Sequence, residues 1–406
     1  MNRTIGIFSA ALALFVTAFF VQARYFQAAE KVALPQPAPI EAPQEPAAPP
    51  PIVQLAILLD TSSSMDGLID QARTRLWRVV NELAELKRAG RTPELRVALY
   101  EYGNDGLEAA TGYLRQVQAF TTDLDDVSQG LFALTTNGGS EHCGQVIDAA
   151  LKGLAWDPDP GTLKLIFIAG NEGFDQGPVD YQQALADARQ RGVKVNTVHC
   201  GPEASGIAGH WRDGALLAGG RFHSIDQNQA LTWIAAPQDE EIARLGAQIN
   251  ETTIAFGAHG SAGLANVAAQ DLNALSTGRG ANIQRAMTKG TKVYDNSKWD
   301  LVSAIQKKKA KIRQLDKQLL DARYAGLSDE ELKVEVEKLQ QRRDTLTARL
   351  GKLKKEREGW VASERQKQAQ QEGQSFDDSL VDSIRNQAAA GGFEVEGSQV
   401  AAPGES

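Results

Sequence analysis

The residues best suited to chemistry stand in Asp60-Thr-Ser62-Ser-Ser64, directly after the apolar run Ile52-Val-Gln-Leu-Ala-Ile-Leu-Leu59. One carboxylate and two hydroxyls at alternate positions make an oxygen-only donor set. Such a set suits a hard divalent cation, Mg²⁺, Mn²⁺ or Ca²⁺, rather than zinc or copper. Taken alone, the same residues have a plainer reading, a polar turn in which Asp60 caps the helix that follows. Other constellations are poorer. His142, His199, His210, His223 and His259 include no pair four residues apart, and two cysteines cannot build a Cys-rich zinc site. Ser62 or Ser64 with His142 lacks the Gly-x-Ser-x-Gly elbow of a hydrolase nucleophile. Gly257, Gly260 and Gly263 do not follow the order of a nucleotide-binding loop.

The elements around the turn must position it. Residues 52–59 are too short for a free-standing helix and read as a strand buried on both faces of a parallel sheet. In open α/β sheets, ligands lie beyond the carboxyl ends of the strands, where Asp60 stands. Apolar residues recur with helical period from Leu68 to Lys87, and Gly90 and Pro93 end that helix. Further strands are expected at 95–102, 163–169, 193–200 and 221–224, with an alternating edge strand at 114–120. Helices are expected from Asp123 to about Leu134, at 141–154, 181–191 and 211–218, and through Trp233. This alternation predicts an α/β, doubly wound, Rossmann-like parallel sheet with right-handed crossovers.

With these residues in place, residues 52–237 resemble a von Willebrand factor type A domain. Asp60-Thr-Ser62-Ser-Ser64 is similar to that family's metal-ion-dependent adhesion site, in which Asp, Ser and Ser hold Mg²⁺ directly or through water. Thr135-Thr-Asn-Gly-Gly-Ser140-Glu-His-Cys143 is similar to its Gly-Gly-Thr loop before a helix. The resemblance implies Ser140 as a fourth ligand, with Thr135 or Thr136 as alternatives. One position departs from the pattern. Where the family commonly has Thr-Asp-Gly after the fourth strand, this chain has Ala169-Gly170-Asn171, so glycine stands at the usual acid position. Asn171 or Glu172 could supply an oxygen from further along the loop. The implied activity is non-enzymatic: a cation with an open coordination position, filled by the acidic group of a protein partner.

The 406 residues carry a net charge of -8, which argues against nucleic acid as a partner. Residues 1–31 combine a positive start with an apolar run over 5–21 and read as a signal peptide or N-terminal membrane anchor. Residues 32–51 are a Pro-rich linker. The protein is therefore expected to be extracytoplasmic, periplasmic or anchored in an inner membrane and facing the periplasm, with membrane contact only through the N-terminal segment. In an oxidising compartment the even cysteine count favours a Cys143–Cys200 disulfide over two buried thiols.

Residues 238–297 read as a helix–loop module in which Arg279 and Arg285 belong to a solvated face. Ile305, Ile312, Leu315, Leu319 and Ala322, then Leu332 to Trp360, follow three- and four-residue spacings. Residues 298–371 are thus expected to form a coiled coil or helical hairpin, with self-association possible through the seam. Residues 372–406 are expected to be a mostly disordered tail with a short helix near 379–386. A structural scaffold, with a metal-free domain and an assembling coiled coil, is the alternative function.

Overall fold

Six strands, the central ones rich in Val, Ile and Leu, pair into one sheet in the computed structural model, which describes residues 49–225, 233–368 and 376–395. The chain divides into two units, residues 1–49 and 50–406, and the architecture below is that of the second. The expected signal or anchor, most of the Pro-rich linker, the helix leading to Trp233 and residues 396–406 lie outside the described residues. Among the described residues, no helix is long and apolar enough to cross a membrane.

The strands are β1 (Ile52–Asp60), β2 (Glu94–Tyr102), β3 (Leu114–Thr121), β4 (Leu163–Gly170), β5 (Val193–Cys200) and β6 (Phe222–Ile225). Their order is β3-β2-β1-β4-β5-β6. Every pairing is parallel except that of the edge strand β3 with β2. This is the expected doubly wound sheet. Asp60 sits opposite Tyr102 on β2, and Leu59 opposite Ala169 on β4. The chain winds outward from β1 in both directions, so the carboxyl end of β1 is a switch point where a crevice opens.

One face is covered by α1 (Asp66–Ala84) and α2 (Leu124–Phe132), whose Trp77, Val80, Leu83, Val127 and Leu131 join Val53, Leu55, Leu165 and Val198. The other carries α3 (Cys143–Gly153), α4 (Tyr181–Gln190) and α6 (Trp211–Leu217), with the short α5 (Glu203–Ala208) before α6. Asp123 caps α2 as expected, its carboxylate accepting from Asp125 N at 3.1 Å.

The remainder of the chain is helical and docks back on this domain. It comprises α7 (Asp239–Asn250), α8 (Gly260–Thr277), α9 (Arg279–Lys289), α10 (Leu301–Gln306), α11 (Asp329–Gln368) and α12 (Phe376–Ala390). Arg285 corrects the solvated-face expectation: it is 1% exposed and pairs with Asp125 of α2 and Asp271 of α8. Its guanidinium lies 4.8 Å from the centre of the Trp77 ring.

The expected coiled coil or helical hairpin over 298–371 is also corrected, as far as residue 368. Ile305 ends up on α10, whereas Ile312, Leu315 and Leu319 fall in or beside 3₁₀ turns at 312–314 and 317–319. Only the second half of the seam is a long helix, and its apolar positions are used within the chain. Leu332, Val336 and Leu339 pack with Ile254, Leu301, Val302 and Leu320, and Leu350 packs with Ile242, Leu245, Ile283 and Met287. The two arginines in the seam are explained by buried acids. Arg343 donates to Asp300 Oδ2 at 2.7 Å, and Arg357 to Asp239 Oδ1 at 2.7 Å. The Ser328–Glu331 capping box forms as expected, with Ser328 N donating to Glu331 Oε2 at 2.8 Å.

Within the tail, residues 376–395 form more structure than the short helix expected near 379–386. α12 buries Leu380, Val381, Ile384 and Ala388, and Glu394–Val395 pairs antiparallel with Leu86–Lys87. His223 of β6 lies between Ser379 and Ser383 of α12, at 3.1 Å from each hydroxyl. Burial, and then the charge of Arg221, lower its pKa to about 4. Folded His223 therefore stays neutral where the unfolded chain, titrating near 6.5, takes up a proton. Its contribution is whole above about pH 6.5 and is lost as pH falls towards about 4. Between about pH 7 and about pH 5, wild-type stability should fall by about 2 kcal/mol more than that of His223→Gln, measured by urea unfolding at both values.

Candidate functional site

Asp60 is fully buried at the end of β1, and the loop after it is held from two sides. Thr61 N donates to Tyr102 O at 2.8 Å, and Ser63 N donates to Gly138 O at 2.9 Å. Asn137 N donates back to Thr61 O at 3.0 Å, so the Thr135–Ser140 loop lies along the Asp60–Ser64 turn. Within the turn Ser62 N donates to Asp60 Oδ1 at 2.7 Å. Asp60 does not cap α1: that helix starts at Asp66 after Met65, without a side-chain cap.

From Asp60 a line of oxygens runs outward. The Ser62 and Ser64 hydroxyls are 2.9 Å apart, and Ser64 Oγ donates to Asn171 Oδ1 at 3.2 Å. Ser62 is buried whereas Ser64 is exposed, so the line passes from the interior to solvent. Of the sequence-derived set, Asp60, Ser62, Ser64 and Asn171 are brought together. Glu172 is close enough for its charge to act on Asp60, although its side chain is exposed. Ser140 and Thr136 lie on the adjoining loop, both half-buried, and among the described residues no hydrogen bond joins Ser140 to the turn.

The residue absent from that set is Glu141. Its carboxyl is buried against Asp60, over Gly103. A β-carbon at residue 103 would stand 2.6 Å from Asp60 Oδ1 and 2.9 Å from Glu141 Cγ, and φ there is +78°. Only glycine meets both conditions. Burial raises the pKa of both acids, and for Glu141 the hydrogen bond and charge of Asp60 push in the same direction. Glu101, the other buried acid nearby, is different: it accepts from Arg115 Nε at 2.6 Å. Among the described residues no lysine or arginine pairs with Asp60 or Glu141. Sequence did offer one signal, since Glu141 is the sole acid between Thr135 and Cys143.

Gly170 is enclosed rather than merely vacant of a side chain. A β-carbon there would lie 2.5 Å from the Tyr102 hydroxyl, 3.0 Å from the Trp211 ring and 3.2 Å from Asp60 Oδ2. Tyr102 is fixed by donating to Ala169 O at 3.0 Å, and Trp211 by donating to Glu172 O at 2.6 Å. Asp60 Oδ2 itself accepts no hydrogen bond despite its burial. A buried carboxylate oxygen without a donor carries a desolvation cost that a cation would offset. The donors around it are carboxylate, hydroxyl and amide oxygens, a fit to Mg²⁺, Mn²⁺ or Ca²⁺. Among the described residues no three His, Cys, Asp or Glu side chains converge, so such a centre depends on the hydroxyls as well.

The expected Cys143–Cys200 disulfide is not formed. Both thiols are free and buried. Cys143 packs with Ile147, Tyr102 and Phe174 on one face of the sheet, whereas Cys200 packs with Val198 and Ile225 on the other. Cys143 Sγ instead lies 3.6 Å from the Tyr102 hydroxyl.

Residues 54–212 match the family model of the von Willebrand factor type A domain. No curated protein matches the chain. Similar solved structures include BatB from Bacteroides thetaiotaomicron, at 16% identity and a TM-score of 0.34, covering 43% of this chain and 90% of that one. An aerotolerance-related membrane protein from Bacteroides fragilis NCTC 9343 is 15% identical with a TM-score of 0.31, covering 43% and 92%. Proximal thread matrix protein 1 from the mussel byssus, with a zinc-occupied MIDAS motif, is 11% identical with a TM-score of 0.33, covering 44% and 43%.

Proposed function

We propose that residues 54–212 form a divalent-cation-dependent protein-binding module outside the cytoplasm, its ion held at the carboxyl end of β1. The observation that carries this reading is the unsatisfied, fully buried Asp60 Oδ2 at the head of the Ser62–Ser64–Asn171 line. Asp60 supplies the charge, Ser62 and Ser64 supply hydroxyls, and Asn171, Ser140 or Thr136 complete the shell directly or through water. The exposed end at Ser64 leaves a coordination position facing solvent, where an oxygen of a protein partner binds. Ion, partner and loop position are then thermodynamically linked. The apolar N-terminal run supports export or anchoring, and the family match supports interaction rather than catalysis.

The scaffold alternative draws less support, because the seam that would assemble copies is packed against α7, α9 and α10. The test is direct binding of Mn²⁺, followed by loss of its free electron-paramagnetic-resonance signal. One ion per chain is expected in the wild type and none in Asp60→Ala. Equal uptake by the two proteins would remove the reading.

A further inference from the structure

Resting on that reading, we propose that Glu141 supplies the ion's second carboxylate, and that the resulting neutral centre takes a neutral oxygen from its partner, an amide carbonyl or hydroxyl, rather than a carboxylate. Three observations lead there. Gly170 cannot carry an acid, since its surroundings already fill the space of a β-carbon. Glu141, 3% exposed, lies against Asp60 over Gly103, and its carboxyl shares a hydrogen-bonding neighbourhood with both Asp60 and Ser62, two of the proposed ligands. Among the described residues no basic side chain pairs with either acid, so a bound cation would take the place of the proton the two carboxyls share.

Partner chemistry follows from the charge count. Two carboxylates on a divalent ion leave no net positive charge to attract a third. Glu172 adds a further negative charge within range of both. A partner carboxylate would bring like charge into a site walled by Tyr102 and Trp211, where such repulsion is poorly screened. A carbonyl or hydroxyl completes the same oxygen shell without that penalty.

The experiment has two arms on the full chain. Calorimetric titration with Mn²⁺ compares wild type, Glu141→Gln and Glu141→Asp. The Gln variant should bind ~10–100-fold more weakly, because the number of charged ligands sets affinity in such sites, and the Asp variant should fall between them. Wild-type binding with equal affinity in Glu141→Gln would overturn the role of Glu141 alone. No binding by the wild type would instead remove the cation reading itself, and this proposal with it. Should Glu141→Gln fail to fold, binding by Glu141→Asp as tight as wild type overturns the role and weaker binding supports it.

The second arm follows water-proton relaxivity of the bound Mn²⁺ as acetate, and separately N-methylacetamide, is added. In the wild type acetate should displace no more water than N-methylacetamide does, whereas in Glu141→Gln acetate should displace markedly more. Strong displacement by acetate in the wild type would overturn the neutral-partner assignment.

Discussion

Arg285→Met should cost about 3–5 kcal/mol of unfolding free energy, because it strands Asp125 in the interior without its counter-ion. Asp125 is 1% exposed and Arg285 equally so. Arg285 also donates to Asp271 Oδ1 at 2.6 Å and to Val267 O at 3.2 Å, and Tyr294 donates to Asp125 Oδ2 at 2.6 Å. This group ties α2 of the sheet domain to α8 and α9. Urea unfolding of the full chain measures the loss. Adding Asp125→Asn to Arg285→Met should recover part of it, since the stranded charge is removed with its partner. A double variant no more stable than the single one would show that packing over Trp77, not charge, dominates.

Gly170→Asp, which places an acid where the resemblance to von Willebrand factor type A domains leads one to expect it, should destabilise the fold by about 3 kcal/mol or more. Its β-carbon would meet the Tyr102 hydroxyl at 2.5 Å and the Trp211 ring at 3.0 Å. Both rings are anchored by their own hydrogen bonds, so neither yields without breaking one. The new carboxylate would also face Asp60 Oδ2. Thermal unfolding in chelator should expose the loss, and cation affinity should not rise. A stable variant with tighter ion binding would show that the cradle is empty and that the glycine is a simple defect of the site.

Much of this was legible in the sequence, for reasons that can be named. The run 52–59 is buried on both faces, so its continuous hydrophobicity marked a central strand, and Asp60 had to fall at its carboxyl end. Helices with caps and stops, such as Tyr181–Gln190 before Gly192, were readable because their signals are local. Glu141 was not, because a single acid in a polar loop has no periodicity. Only its position over Gly103 gives it meaning.

The cysteines failed for a related reason. Both stand near the same end of the sheet, yet side-chain direction on β5 and the side on which α3 crosses put them on opposite faces. The seam of α11 could not name its partner, since apolar three- and four-residue spacing serves a second helix of any origin. Arg285 looked solvated because its acids, Asp125 and Asp271, lie 160 and 14 residues away. The docking of α12 through His223 and Ser383 is likewise a long-range fact.

The most direct test of the central claim is the melting temperature of the full chain in chelator and in millimolar Mg²⁺ or Mn²⁺, for wild type and Asp60→Ala. At an ion concentration about 100 times Kd, linkage predicts about 2.7 kcal/mol of added stability in the wild type. That gain appears as an upward shift in melting temperature, and Asp60→Ala should show none. A wild type that melts at the same temperature with and without the ion would contradict the account.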